Sequence, residues 1–95
     1  MKNINVYVIE KYDTVKKCFV FWNVVSTYKN AKNAIYKFMM EYSNSANGNI
    51  KLNDGAINEY DYFKGMIFKT ANDNNPITFE FRGHSTSFIQ SGYFL

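Results

Sequence analysis

One cysteine, one proline, one histidine, one tryptophan and one arginine stand in a chain of 95 residues. The scarcity of cysteine and histidine removes two classes of protein. With Cys18 alone there is no internal disulfide, so the fold must rest on packing. One cysteine and one histidine leave a metal centre to scattered carboxylates, and neither Asp54-Gly55 nor Asn72–Asn75 has the oxygen-ligand spacing of a calcium loop. No metal and no cofactor is expected. No apolar run approaches the roughly 20 residues that cross a bilayer, so no membrane partner is expected either. The first residues lack a charged-then-apolar leader, which reads as a cytoplasmic protein. There is no nucleotide-binding motif, no repeat and no low-complexity linker, and residues 1–95 read as one domain.

Charge is also sparse. Ten lysines and one arginine oppose eight acids, for a net charge of +3. That balance permits weak attraction to nucleic acid without demanding it, and it excludes an acidic mimic of DNA. Asn, Lys, Ile, Tyr and Phe make up about half the chain. These are the residues of AT-rich codons, so the excess of Lys over Arg reflects coding composition rather than phosphate recognition.

Aromatic side chains are abundant: 19% of residues, with eight tyrosines and nine phenylalanines. One small core cannot hide that many rings, and some are expected to line a surface made for another macromolecule.

The chain is organised around Phe19–Tyr42. Ala31, Ala34, Ile35, Phe38, Met39 and Tyr42 recur with the spacing of one helical face, predicting a helix over Tyr28–Tyr42. Ser26 or Thr27 supplies its N-cap, and Lys29, Lys32 and Lys37 mark the wet side. Before it, Lys17–Val25 reads as a strand with Cys18, Val20, Trp22 and Val24 on one side and Phe19, Phe21 and Val25 on the other. A strand apolar on both sides belongs in mid-sheet, or has its second face covered by a partner.

Asn3–Tyr12 alternates as a first strand, with Ile4, Val6 and Val8 opposite Asn3, Asn5 and Tyr7. Ser43–Asn49 reads as a loop and Ile50–Leu52 as a short strand before a turn at Asp54-Gly55. Tyr60–Thr70 and Ile77–Arg82 form a hairpin joined by Ala71–Pro76, with Ile77, Phe79 and Phe81 inward. Gly65 signals a bulge or the close approach of another backbone. Gly83–Ser87 reads as a break before a last strand over Phe88–Leu95. The expected architecture is α+β: an antiparallel sheet of four or five strands with one helix on one face.

Candidate chemistry is thin. His84 with Arg82 is the pattern of a small ribonuclease toxin, imidazole as general acid or base and guanidinium as anion holder, though no second acid/base partner stands at a recognisable spacing. Cys18, set among Phe19, Val20 and Trp22, reads as a buried structural thiol. Tyr36 and Met40, one turn apart and rimmed by Lys32 and Lys37, have the composition of a protein-contact patch. The run Glu59-Tyr60-Asp61-Tyr62 is a second such candidate, suited to a basic partner surface. An apolar C-terminal strand or a sheet edge also leaves homodimerisation open.

Two resemblances add to this reading. Val6-Tyr7-Val8 and Lys64-Gly65-Met66-Ile67-Phe68 resemble the two aromatic strand motifs of the RNA-recognition motif family, which implies base stacking on Tyr7 and Phe68 beside Lys64. That family's first strand leads into a helix, whereas here it leads into another strand. The hairpin opening VYVIEKYD, the strand ending VVST and the helix opening YKNAKNAI are similar to small strand-strand-helix domains encoded by phage and other mobile-element accessory genes. That resemblance implies a stoichiometric, non-enzymatic inhibitor of host machinery. Its partner would be a protein or ribonucleoprotein complex such as a CRISPR effector.

Overall fold

A computed structural model of the chain describes residues 2–43 and 49–90, with the side chains of residues 2–3 and 88–90 outside the description. The elements are β1 (Lys2–Asp13), β2 (Cys18–Val25), α1 (Tyr28–Ser43), β3 (Ile50–Ile57), β4 (Tyr60–Ile67) and β5 (Ile77–Gln90). All pairings are antiparallel and the sheet order is β2-β1-β5-β4-β3. The α+β expectation of a sheet with one helix on a face therefore holds, with five strands.

The helix begins where the sequence placed it. Thr27 Oγ1 accepts the Asn30 amide at 3.1 Å, and Asn30 Nδ2 donates to Ser26 Oγ at 2.6 Å. Both hydroxyls thus serve the cap, one directly and one by fixing Asn30. Ala31, Ile35 and Met39 are fully buried on the side that meets the sheet. Tyr42, expected in that stripe, is 56% exposed because it lies past the last buried turn, with Phe38 and Phe79 against one edge.

The core is built from the sheet side under α1: Tyr7 and Ile9 of β1, Phe63 and Ile67 of β4, and Phe81 of β5. Each ring or branched chain buried this way contributes roughly 1.5–3 kcal/mol. On β1 the core takes Tyr7 and Ile9, while Ile4, Val6 and Val8 lie on the opposite face, half-buried.

Two glycines set how closely the layers meet. Neither ends or bulges its strand. A Cβ on Gly83 would sit 2.4 Å from Tyr7 Cε1 and 2.8 Å from its Cζ. The tyrosine ring lies flat on that strand, and the predicted break at Gly83–Ser87 is continuous β5 paired to β1. A Cβ on Gly65 would meet Met39 Sδ at 2.3 Å, so the close approach there comes from a helix side chain rather than from another backbone. The separate strand expected over Phe88–Leu95 is, as far as Gln90, the end of β5; residues 91–95 lie outside the described residues.

Other corrections follow from turn chemistry. Asp54-Gly55 lies inside β3, and the chain reverses instead at Asn58-Glu59, with Asn58 in the left-handed region (φ 56°) that asparagine tolerates. Strand β2 is an edge strand, not a central one, and it carries a bulge: Ile9 pairs with Asn23 but Glu10 with Phe21, leaving Trp22 unpaired. Trp22 turns toward Phe38 and Phe81 at 5.7 and 5.0 Å. Beyond the bulge the alternation inverts, so Val25 faces the helix side and Val24 does not. Cys18, expected in the core, is exposed because it opens this edge strand beside the β1–β2 turn.

Replacing Gly83 by Ala is expected to destabilise the fold by about 1–3 kcal/mol in urea titration, since a ring that is 2% exposed has nowhere to retreat. Gly65→Ala should cost less, because the flexible Met39 thioether can move aside. Equal, negligible costs at both positions would contradict this packing.

Candidate functional site

One helix covers one side of the sheet. The other side holds no second layer among the described residues, and its composition is the most informative feature of the molecule. From the strand register it carries Val6, Val8, Glu10 and Tyr12 of β1, Phe19, Phe21 and Val24 of β2, and Arg82 and His84 of β5. Tyr60, Tyr62, Lys64 and Met66 of β4, Thr78 and Glu80 of β5, and Lys51, Asn53 and Ile57 of β3 also lie on it. Phe21, Val24 and Ile57 are 64%, 44% and 54% exposed.

A row of stacked groups crosses the middle of this face. Arg82 Nε donates to Glu10 Oε1 at 2.7 Å. Its Cζ lies 4.5 Å from the ring centroids of both Phe19 and Tyr60, which come from strands on either side of β5. Each such cation–ring contact contributes roughly 0.5–2 kcal/mol according to its desolvation. Tyr12 meets Phe19 edge-on at 5.3 Å, and Tyr60 meets His84 edge-on at the same distance. Tyr62 donates to Glu80. Phe19, Ile57, Asn58, Tyr60, Tyr62 and Arg82 line a pocket of about 150 Å³.

No protein-family model, no curated protein and no solved structure matches the chain. Its function must be read from the geometry.

The residues singled out from sequence are divided between opposite sides. Tyr36 and Met40 are exposed on the outer side of α1, with Lys37 beside them. Lys32 is tied inward, 3.4 Å from Asp54 of β3 and over the Tyr28 ring. Glu59 sits in the β3–β4 turn, exposed. Tyr60 and Tyr62 project from the helix-free face, but Asp61 points under the helix, where it accepts a hydrogen bond from Tyr7 at 2.6 Å. The helix patch and the tyrosine patch therefore cannot form one surface.

The base-stacking set is not brought together. Tyr7 is 2% exposed beneath α1, Lys64 projects from the opposite face across from Glu80, and Phe68 is half-buried past the end of β4. Tyr7 became buried because Gly83 makes room for its ring, which a strand motif read in isolation does not reveal. His84 and Arg82 do share the helix-free face. His84 Nδ1 is enclosed without a hydrogen-bond partner among the described residues. Cys18 lies at the strand edge and no cluster of metal-ligating side chains exists among the described residues.

Phe19, Phe21, Val24, Ile57 and Glu10 are the residues that sequence reading did not place at a site. Their signal was present in CFVFWNVV, apolar on both sides; the open question was what covers the second side, and none of the described residues forms a layer over it.

Three tyrosine–carboxylate pairs tie strand to strand and helix to sheet. Burial and the hydrogen bond to Asp61 hold the Tyr7 phenol far above its ordinary range. The hydrogen bond to Asp54 raises Tyr28 to about 12, and burial followed by the bond to Glu80 raises Tyr62 to about 12. A phenol whose native pKa is raised adds stability that is complete below the unfolded value near 10 and is lost as pH climbs through about 12. Resistance to urea should therefore fall between pH 10 and pH 12. In a tyrosinate absorbance titration, Tyr28→Phe or Tyr62→Phe should shrink the late step near 12; titration of all tyrosines in one step near 10 would contradict these pairs.

Proposed function

We propose that the chain is a non-enzymatic protein-binding module that docks its partner on the helix-free face of the sheet. The observation that carries this reading is the exposure of Phe21, Val24 and Ile57 on a face that an unpartnered domain would make polar. An antiparallel sheet turned to water alternates apolar-in and polar-out. Here Val6, Val8, Phe21 and Val24 occupy outward positions, with Tyr60, Tyr62 and Arg82 alongside. Aromatic residues and arginine are the residue types enriched where proteins bind one another.

The strand edge is a weaker docking element than the face. The bulge at Trp22 bends β2, and Asn23 Oδ1 occupies the Val24 amide at 2.8 Å, both of which blunt edge-to-edge pairing and with it a homodimer through β2. The resemblance to phage and mobile-element accessory domains supplies the class of partner. It favours a host protein or ribonucleoprotein complex, such as a CRISPR effector, blocked stoichiometrically in the host cytoplasm.

A second reading rests on a separate observation: Glu10, Arg82 and His84 stand on this same face, a carboxylate, a guanidinium and an imidazole on adjacent strands. Those are the base, anion holder and acid of a ribonuclease. Cleavage of RNA by the pure protein that is abolished in both Glu10→Gln and His84→Gln would favour it over the binding module.

The binding module is tested by paired variants. Phe21→Lys with Val24→Lys is expected to weaken capture of the host partner tenfold or more, about what loss of central apolar anchors costs, with the fold intact. Tyr36→Ala with Met40→Ala, on the far side, should leave capture unchanged. The reverse pattern would move the interface to the helix.

A further inference from the structure

Arginine occurs once in this chain, against ten lysines. It occurs at the centre of the helix-free face, on β5, the middle strand of the sheet. From Arg82, Glu10 takes only the Nε proton; among the described residues the two terminal amino groups have no hydrogen-bond partner. Phe19 and Tyr60 hold the guanidinium from two sides at 4.5 Å, so its position is set before anything binds. The side chain is still 33% exposed. Ile57, Tyr62 and Asn58 wall the remaining space, a pocket of about 150 Å³ that opens on the guanidinium. Lysine would supply the charge but neither the stacking plane nor the paired donors that meet a carboxylate with two parallel hydrogen bonds.

We infer that this pocket is a recognition site for one carboxylate of the protein partner, an acidic side chain or chain terminus carried on an apolar body, held by the terminal amino groups of Arg82. The inference rests on the reading of the helix-free face as a protein-docking surface. The local charges choose a single carboxylate over a phosphate chain. Glu10 takes the Nε side of Arg82, and Glu80, two residues away on the same strand and face, stands opposite Lys64. The helix lysines Lys29, Lys32 and Lys37 lie on the other side of the molecule. Lys64 and Lys51 share this face but lie toward its β3 side, Lys64 opposite Glu80, and they do not line the pocket, which has room for one group beside a single guanidinium. One acidic group flanked by an apolar side chain meets that guanidinium and then Ile57 and Tyr60. Because both rings already restrict the arginine, little side-chain entropy is lost on binding.

The test needs no partner protein. Nitrogen-15 spectra of the chain are recorded while N-acetylleucine, N-acetylleucinamide and inorganic phosphate are titrated separately, following the Arg82 Nε–H signal and the Ile57 and Tyr60 amides. The free acid is expected to shift these signals saturably, with the amide and phosphate at least about tenfold weaker, since only the acid offers a planar charged acceptor beside an apolar body. Arg82→Lys, shown folded by its own spectrum, should weaken the acid at least about tenfold as well. No saturable response to the acid, an equal response to the amide, tighter binding of phosphate, or an undiminished response in Arg82→Lys would each overturn the assignment. Failure here, with partner capture still lost in the Phe21 and Val24 variant, would remove the carboxylate site and leave the docking face standing.

Discussion

A single helix has one apolar side to offer, and the sheet beneath it has two. The 16-residue α1 spans about 24 Å, while the molecule extends 53 Å along its longest axis. One layer of side chains from Ala31, Ile35 and Met39 closes over Tyr7, Ile9, Phe63 and Phe81, and that contact is the core. Among the described residues nothing comparable lies over the opposite face. The distribution of aromatic residues follows: among the described residues only Tyr7, Phe63 and Phe81 are fully buried rings, and the rest are half-buried or exposed.

The helix-free face is ordered as well as apolar. Glu10, Arg82, Phe19 and Tyr60 form a row whose members fix one another, and Tyr62 is fixed by Glu80. Rigid aromatic side chains held by neighbours would lose little freedom on docking, which suits the role proposed for this face. On the covered side the polar groups do a different job. Tyr28 to Asp54, with Lys32 beyond, ties the start of the helix to β3, and Tyr7 to Asp61 ties β1 to β4 beneath it.

Much of this fold was legible in the sequence because periodicity reports burial directly. The 3.6-residue stripe of α1, its Ser26-Thr27 cap, and the alternation of Ile77, Phe79 and Phe81 all reflect which side of an element meets the core. What stayed hidden depended on contacts distant in sequence. Gly83 looks like a strand break until Tyr7 is seen to lie on it, 76 positions away, and Gly65 looks like a bulge until Met39 does the same. The bulge at Trp22 was invisible to a rule that alternates without interruption, so Val24 and Val25 exchanged sides. Asp54-Gly55 outranked Asn58-Glu59 as a turn because local propensity knows nothing of the β3–β4 register that puts Ile57 opposite Tyr60. The candidate site was half legible: Tyr60, Tyr62, Arg82 and His84 were singled out, but the strand that carries Phe19 and Phe21 was read as either central or covered by a partner, and its edge position was not foreseen.

The central claim is that the helix-free face is open in the isolated chain and covered in the working complex. Hydroxyl-radical footprinting read by mass spectrometry, on the pure protein and on the same protein bound to its captured host partner, tests this side chain by side chain. The account predicts heavy labelling of Phe21, Tyr60 and Tyr62 in the isolated chain and strong protection of all three in the complex, with Tyr36 and Met40 labelled equally in both. Unchanged labelling of Phe21, Tyr60 and Tyr62 beside protection of Tyr36 and Met40 would contradict it.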